Sequence, residues 1–110
     1  MVRSRRILIA NEPRAYRDAL AAALRALRPQ IQALVVEPDD LDRFVERLAP
    51  DLVICSRASE TVRARAGAWV LLYPDGEEQA VVALGGQCRE LARIDLAGIL
   101  ALVDALGDIP

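Results

Sequence analysis

Apolar residues in this chain come in two rhythms that alternate along it. Short unbroken runs, as a strand buried on both faces requires, occur at Arg6–Ala10, Gln32–Glu37 and Asp51–Ser56. Between them the spacing turns helical. From Pro13 to Arg28, residues Tyr16, Leu20, Ala23, Leu24 and Leu27 recur at i, i+4, i+7, i+8 and i+11. That spacing puts them on one face and leaves Arg14, Arg17, Arg25 and Arg28 mostly solvated. Asn11 is suited to cap this helix, Pro13 to its first turn and Pro29 to its end. Pro38-Asp39-Asp40 opens a second helix with two acids at its positive N-terminus, and Leu41, Phe44, Val45 and Leu48 form its stripe. Strand–helix–strand–helix–strand predicts a parallel sheet with right-handed crossovers.

After Ser56 the rhythm changes. The stretch from Arg57 to Ala68 is polar, with one short helix around Ser59–Ala66. Trp69–Tyr73, Ala80–Leu84 and Gln87–Leu91 read as strands of an antiparallel meander. Pro74-Asp75-Gly76 and Gly85-Gly86 supply the turn chemistry between them. A competing reading makes Glu77–Leu84 a helix, but Val81-Val82 and the glycine pair favour the hairpin. Asp95 caps a final helix, Leu96–Leu106, ended by Gly107. Its apolar residues lie nearly all round, so it calls for burial on two sides.

At 110 residues the chain is one domain, 1–110, with a single core. No apolar run approaches the roughly 20 residues of a membrane span. The run after Arg3, Arg5 and Arg6 is too short for a signal peptide, so a cytoplasmic protein is expected, with those arginines as a solvated tail. A net charge of −2 argues against a nucleic-acid surface. Cys55 and Cys88 lack any paired-motif spacing, and Cys55 falls inside a predicted strand as a small buried apolar residue.

Two absences narrow the chemistry further. The chain has no histidine, and all 14 of its cations are arginine. Imidazole general bases, histidine-ligated metals, Schiff bases and P-loop lysines are therefore excluded. Ser56 has no base to activate it and no nucleophile-elbow glycines. Gly85-Gly86 lacks the spacing of a dinucleotide-binding loop. No catalytic residue, metal ligand or cofactor is expected, and the chain reads as a non-enzyme.

Ile7-Leu8-Ile9-Ala10-Asn11-Glu12 and Pro50-Asp51-Leu52-Val53-Ile54-Cys55-Ser56, with the helix between, resemble the first strand, acidic pair, third strand and phosphoacceptor turn of a response-regulator receiver domain. Asp95-Leu96 and the apolar run after it are similar to that family's last helix. The resemblance implies a three-layer α/β fold of the flavodoxin/receiver type. The residues themselves place its parallel strands at 6–10, 32–37 and 51–56, followed by the meander 69–73, 80–84 and 87–91, where an ordinary receiver would require a helix at Glu77–Leu84, and a C-terminal helix. The resemblance also implies that the site is broken. The family's chemistry gathers three carboxylates near one Mg²⁺, because the metal and the phosphoryl group together carry dense charge. Here Asn11 replaces one acid, Glu12 keeps another and Ser56 stands for the nucleophile. Tyr73 takes the switch-hydroxyl position, and Ala92 stands near the position of the phosphoryl-pairing lysine.

Asn11, Glu12 and Ser56 should sit at the carboxyl edge of the sheet, where open α/β sheets bind ligands. Capping, solvation and a turn hydroxyl account for them better, as helix-start positions account for Glu37, Asp39 and Asp40. Trp69 and Tyr73, four apart on a strand, share a face and serve either as packing or as a partner anchor. The expected function is a phosphorylation-incompetent interaction domain in signalling, self-associating as a homodimer or binding a protein partner. Its interface would use Leu96, Ile99, Leu100, Val103 and Trp69. The alternative is a small-ligand or nucleotide sensor at the carboxyl edge.

Overall fold

The computed structural model describes residues 5–72, 80–84, 87–91 and 94–106. All six apolar runs are strands: β1 (Arg6–Ala10), β2 (Gln32–Val35), β3 (Leu52–Cys55), β4 (Ala68–Leu72), β5 (Ala80–Leu84) and β6 (Gln87–Leu91). The helices are α1 (Arg14–Leu27), α2 (Leu41–Leu48), α3 (Glu60–Arg65) and α4 (Leu96–Leu106), with a single 3₁₀ turn at Pro38–Asp40 before α2. The competing helical reading of Glu77–Leu84 fails, because Ala80–Leu84 pairs as a strand.

One sheet contains all six strands in the order β2-β1-β3-β4-β5-β6. β2, β1, β3 and β4 run parallel, with Ile7 opposite Ala33 and Leu52, and Ile54 opposite Val70. β5 runs antiparallel to β4, and β6 antiparallel to β5. The sheet is therefore mixed. The expected meander is present, and its first strand, β4, also extends the parallel part.

Alternation along the strands sorts the core into two layers. Ile7, Ile9, Leu52, Ile54, Val70 and Val82 pack with Leu20 and Leu24 of α1 and with Ile99 and Val103 of α4. Leu8, Ala10, Val53, Cys55 and Trp69 pack on the other face, with Leu41 and Val45 of α2 and Val62 of α3. The chain moves from β1 outward to β2 with α1 on one face. It then moves back across β1 to β3 and on to β4 with α2 and α3 on the other. Reversing both the direction and the face keeps one hand for all three crossovers.

Helix α1 departs from the expected stripe. Its buried residues are Arg17, Leu20, Ala21 and Leu24, while Tyr16 is partly buried and Leu27 is 47% exposed. The buried face is thus rotated toward Arg17 and Ala21. Arg25 remains exposed, but its Nε and Nη2 both donate to the Ala33 carbonyl, at 3.0 and 2.7 Å. Arg28 pairs with Asp104 of α4 through two bonds of 2.8 Å, tying the ends of α1 and α4 together. That contact holds the Asp104 carboxyl below its usual range.

The helix termini match expectation in part. Pro13, not Asn11, holds the cap position of α1, and no side chain caps it. Ser59 caps α3 by accepting from the Val62 N–H at 3.2 Å, and Asp95 caps α4 by accepting from the Gly98 N–H at 2.9 Å. α4 buries Ile99, Val103 and Leu106 on one side, with Leu100 and Leu102 partly buried against the same layer. The expected burial of α4 on two sides is not met, because Leu96 is 38% exposed. Among the described residues no helix is long and apolar enough to cross a membrane.

The rotated face of α1 separates two leucines that the spacing alone treats alike. Leu24→Ala should lower the unfolding free energy by about 2–5 kcal/mol in urea titration. Leu27→Ala should stay within about 0.5 kcal/mol of the parent. Equal losses at the two positions would contradict this packing.

Candidate functional site

β1 and β3 lie side by side at the point where the chain reverses direction across the sheet, the topological switch point of an open α/β fold. Just beyond their carboxyl ends is a cleft of about 300 Å³, lined by Glu12, Asp39, Asp42, Ser56, Arg57 and Ser59 among others. Strand geometry explains which groups reach it. Residues with the parity of Leu8 and Ala10 face α2 and α3, so Glu12 falls on the cleft side. The Ser56 hydroxyl accepts from the Glu12 N–H at 3.0 Å, clasping the two strand ends together.

The cleft carries three carboxylates, Glu12, Asp39 and Asp42, and one cation, Arg57. Arg57 Nη2 lies 3.3 Å from Glu12 Oε1, with both side chains well exposed, so the pair contributes at most about 1 kcal/mol. Asp42 Oδ1 accepts from the Ser59 hydroxyl at 2.5 Å. Among the described residues no group of three or more His, Cys, Asp or Glu side chains could hold a metal ion. The residues present do not fit the Mg²⁺ that the receiver resemblance implies.

Asn11 does not join Glu12 and Ser56. It has the parity of Ile7 and Ile9, is 1% exposed, and its Oδ1 meets no partner among the described residues. Beside it is Arg17, expected to be solvated but 4% exposed. Arg17 Nη1 donates to the Asn11 carbonyl at 3.2 Å, and Nη2 donates to Glu37 Oε2 at 2.9 Å. One buried guanidinium thereby joins α1, the end of β1 and the second residue after β2. The helical-face argument missed it because a charged letter is assigned to solvent by default. The signal for it was positional: Arg17 stands one residue after Tyr16 and three before Leu20, within the buried arc.

Tyr73 lies outside the described residues. Of the expected interface residues, Trp69, Ile99 and Val103 are buried in the chain's own two layers, at 5%, 2% and 4% exposure. Trp69 is stacked under the Arg63 guanidinium, 4.8 Å from its ring centre. Leu96 is the exposed member of that set, and Leu100 is partly buried. Leu96 borders a second hollow of about 300 Å³, an apolar groove between α1 and α4 that includes Tyr16, Ala19, Ala23 and Ile94. Cys55, buried under α2 and α3, keeps its proton: desolvation pushes its thiol up to about 12.

Comparison with protein-family models, with curated proteins and with solved structures returned no match.

The Arg17–Glu37 contact makes an asymmetric prediction. Glu37→Ala removes a carboxylate, itself 62% exposed, from a guanidinium only 5% exposed, and should cost about 2 kcal/mol. Arg17→Met removes the charge itself while keeping the packing, and should cost about 1 kcal/mol. Urea titration of both variants decides it; the reverse order would mean that Arg17 carries no stranded charge.

Proposed function

We propose that this chain is a receiver-like interaction domain without phosphoryl chemistry, which associates with a second copy of itself on the side formed by α4 and the last strands. Support for a flavodoxin/receiver-like arrangement comes from the order β2-β1-β3-β4, from α1 and α4 on one face, and from α2 and α3 on the other. The antiparallel β5 and β6 are where it departs from that plan. The absence of lysine, the serine at position 56 and the turned-away Asn11 all oppose aspartyl phosphorylation. A small-molecule acyl phosphate with Mg²⁺ should leave the intact mass unchanged, and a phosphoprotein peak would refute this part.

The observation that carries the interaction reading is the apolar groove between α1 and α4, with Leu96 exposed at its border. Among the described residues the exposed large hydrophobics are Leu27, Leu34, Val35 and Leu96, and Leu96 borders the α1–α4 groove. Sedimentation at about 100 μM should show a dimer, and Leu96→Glu should weaken it without unfolding the chain. A monomer across the whole concentration range would sink the reading.

The cleft at the strand ends favours a second reading, a small polar ligand held by Glu12, Ser56 and Arg57. A nucleotide that raises Tm for the parent but not for Glu12→Ala would establish it. A panel of nucleotides that shifts neither would remove it.

A further inference from the structure

A mixed sheet has two outer edges, and this chain treats them differently. On β2, Gln32 and Val36 donate inward to Arg5 and Ile9 of the β1 side, at 2.7 and 2.9 Å. Peptide groups alternate along a strand, so those of Ala33 and Val35 face the open edge. Arg25 covers that edge by donating twice to the Ala33 carbonyl, a charged block of the kind that discourages strand addition. At the other edge is β6. Gln87, Cys88, Arg89 and Glu90 are all exposed, and none of the four belongs to either apolar layer. Cys88 and Glu90 share the face of Ala83 and Val81, while Gln87 and Arg89 share that of Leu84 and Val82. With polar side chains on both faces, β6 has its backbone ladder to offer, and an extended backbone is the partner that fits a ladder.

We infer that the outer edge of β6 pairs with β6 of a second copy, antiparallel and about a two-fold axis, so that one sheet runs through both. This rests on the self-association proposed above and names its contact. The occupant follows from charge. A two-fold antiparallel pairing within one sheet keeps each side chain on its own face, so the axis must pass through a residue. An axis at Arg89 sets arginine against arginine, and one at Glu90 sets glutamate against glutamate; both are unfavourable. An axis at Cys88 sets Gln87 against the partner's Arg89, twice, with no like charges opposed. Among registers that pair three or more residues of β6, that is the one the charges permit.

Sedimentation equilibrium on two charge variants of the exposed Gln87 tests the register. Gln87→Glu places a carboxylate opposite the partner's Arg89 and should tighten the dimer about 2- to 30-fold, and Gln87→Arg should loosen it by a similar factor. Diamide, which takes two electrons and two protons from a pair of thiols, should link the parent into a disulfide dimer through Cys88. Cys88→Ser should abolish that link and leave the sedimenting dimer intact, since the buried Cys55 is out of reach. A dimer that ignores both Gln87 variants but falls apart with Leu96→Glu overturns the inference and leaves self-association standing. A monomer in every case overturns both, and leaves the β6 edge to a strand from a different protein.

Discussion

Strands β1 and β3 are buried on both faces, from Ile7 to Ala10 and from Leu52 to Cys55. Each of their larger side chains contributes about 1.5–3 kcal/mol when taken out of water, so a helix layer on one face alone would forfeit about half of that gain. The need for cover on both sides governs the rest of the chain. α1 and α4 serve one face, α2 and α3 the other, and the change of face coincides with the reversal from β2 back to β3. The same reversal opens the cleft at the strand ends, so the cleft follows from the way the sheet is covered and needs no separate cause.

Most of this was legible because unbroken apolar runs and helical stripes report burial directly. The runs at Arg6–Ala10, Asp51–Ser56 and Ala80–Leu84 each became strands within a residue of expectation, and the double-sided burial of β1 and β3 follows from their lack of alternation. Helix faces were less legible. A stripe drawn through Tyr16, Ala23 and Leu27 is as regular as one through Leu20, Ala21 and Leu24, and spacing cannot choose between them. The choice is made by Arg17, whose bonds to the Asn11 carbonyl and Glu37 fix the rotation of α1. Likewise, nothing in the letters of α4 says which leucine faces out. Its position over one layer of the sheet buries Ile99 and Val103 and leaves Leu96 at the surface.

The candidate site was legible in part for a related reason. Glu12 and Ser56 both lie just past the carboxyl ends of β1 and β3, as the strand ends predicted, and they meet there through the backbone N–H of Glu12. Asn11, with the parity of Ile7 and Ile9, is buried on the other face from Glu12, whereas Ser56 reaches the cleft because it lies past the end of β3. Treating Asn11 and Glu12 as one acidic-pair motif hid that difference. The burial of Asn11 beside Arg17 makes the end of β1 a structural junction on one face and a solvent-facing cleft on the other.

The weighing of the two functional readings turns on where bonding capacity remains. In the cleft, Glu12 already has Arg57, Asp42 has Ser59, and the Ser56 hydroxyl is engaged by the Glu12 N–H. A ligand bonding to those three would have to displace contacts the chain makes with itself, and each exchange returns only a small net gain; Asp39 is the lining acid without such a contact among the described residues. The open capacity lies on other surfaces. The α1–α4 groove presents apolar area that water solvates poorly, and the polar strand β6 presents a backbone edge that, among the described residues, has no charged block like that of Arg25 on β2. Apolar area and an open ladder are both satisfied by another protein surface and by little else. That difference in residual bonding capacity favours an interaction domain over a small-ligand sensor.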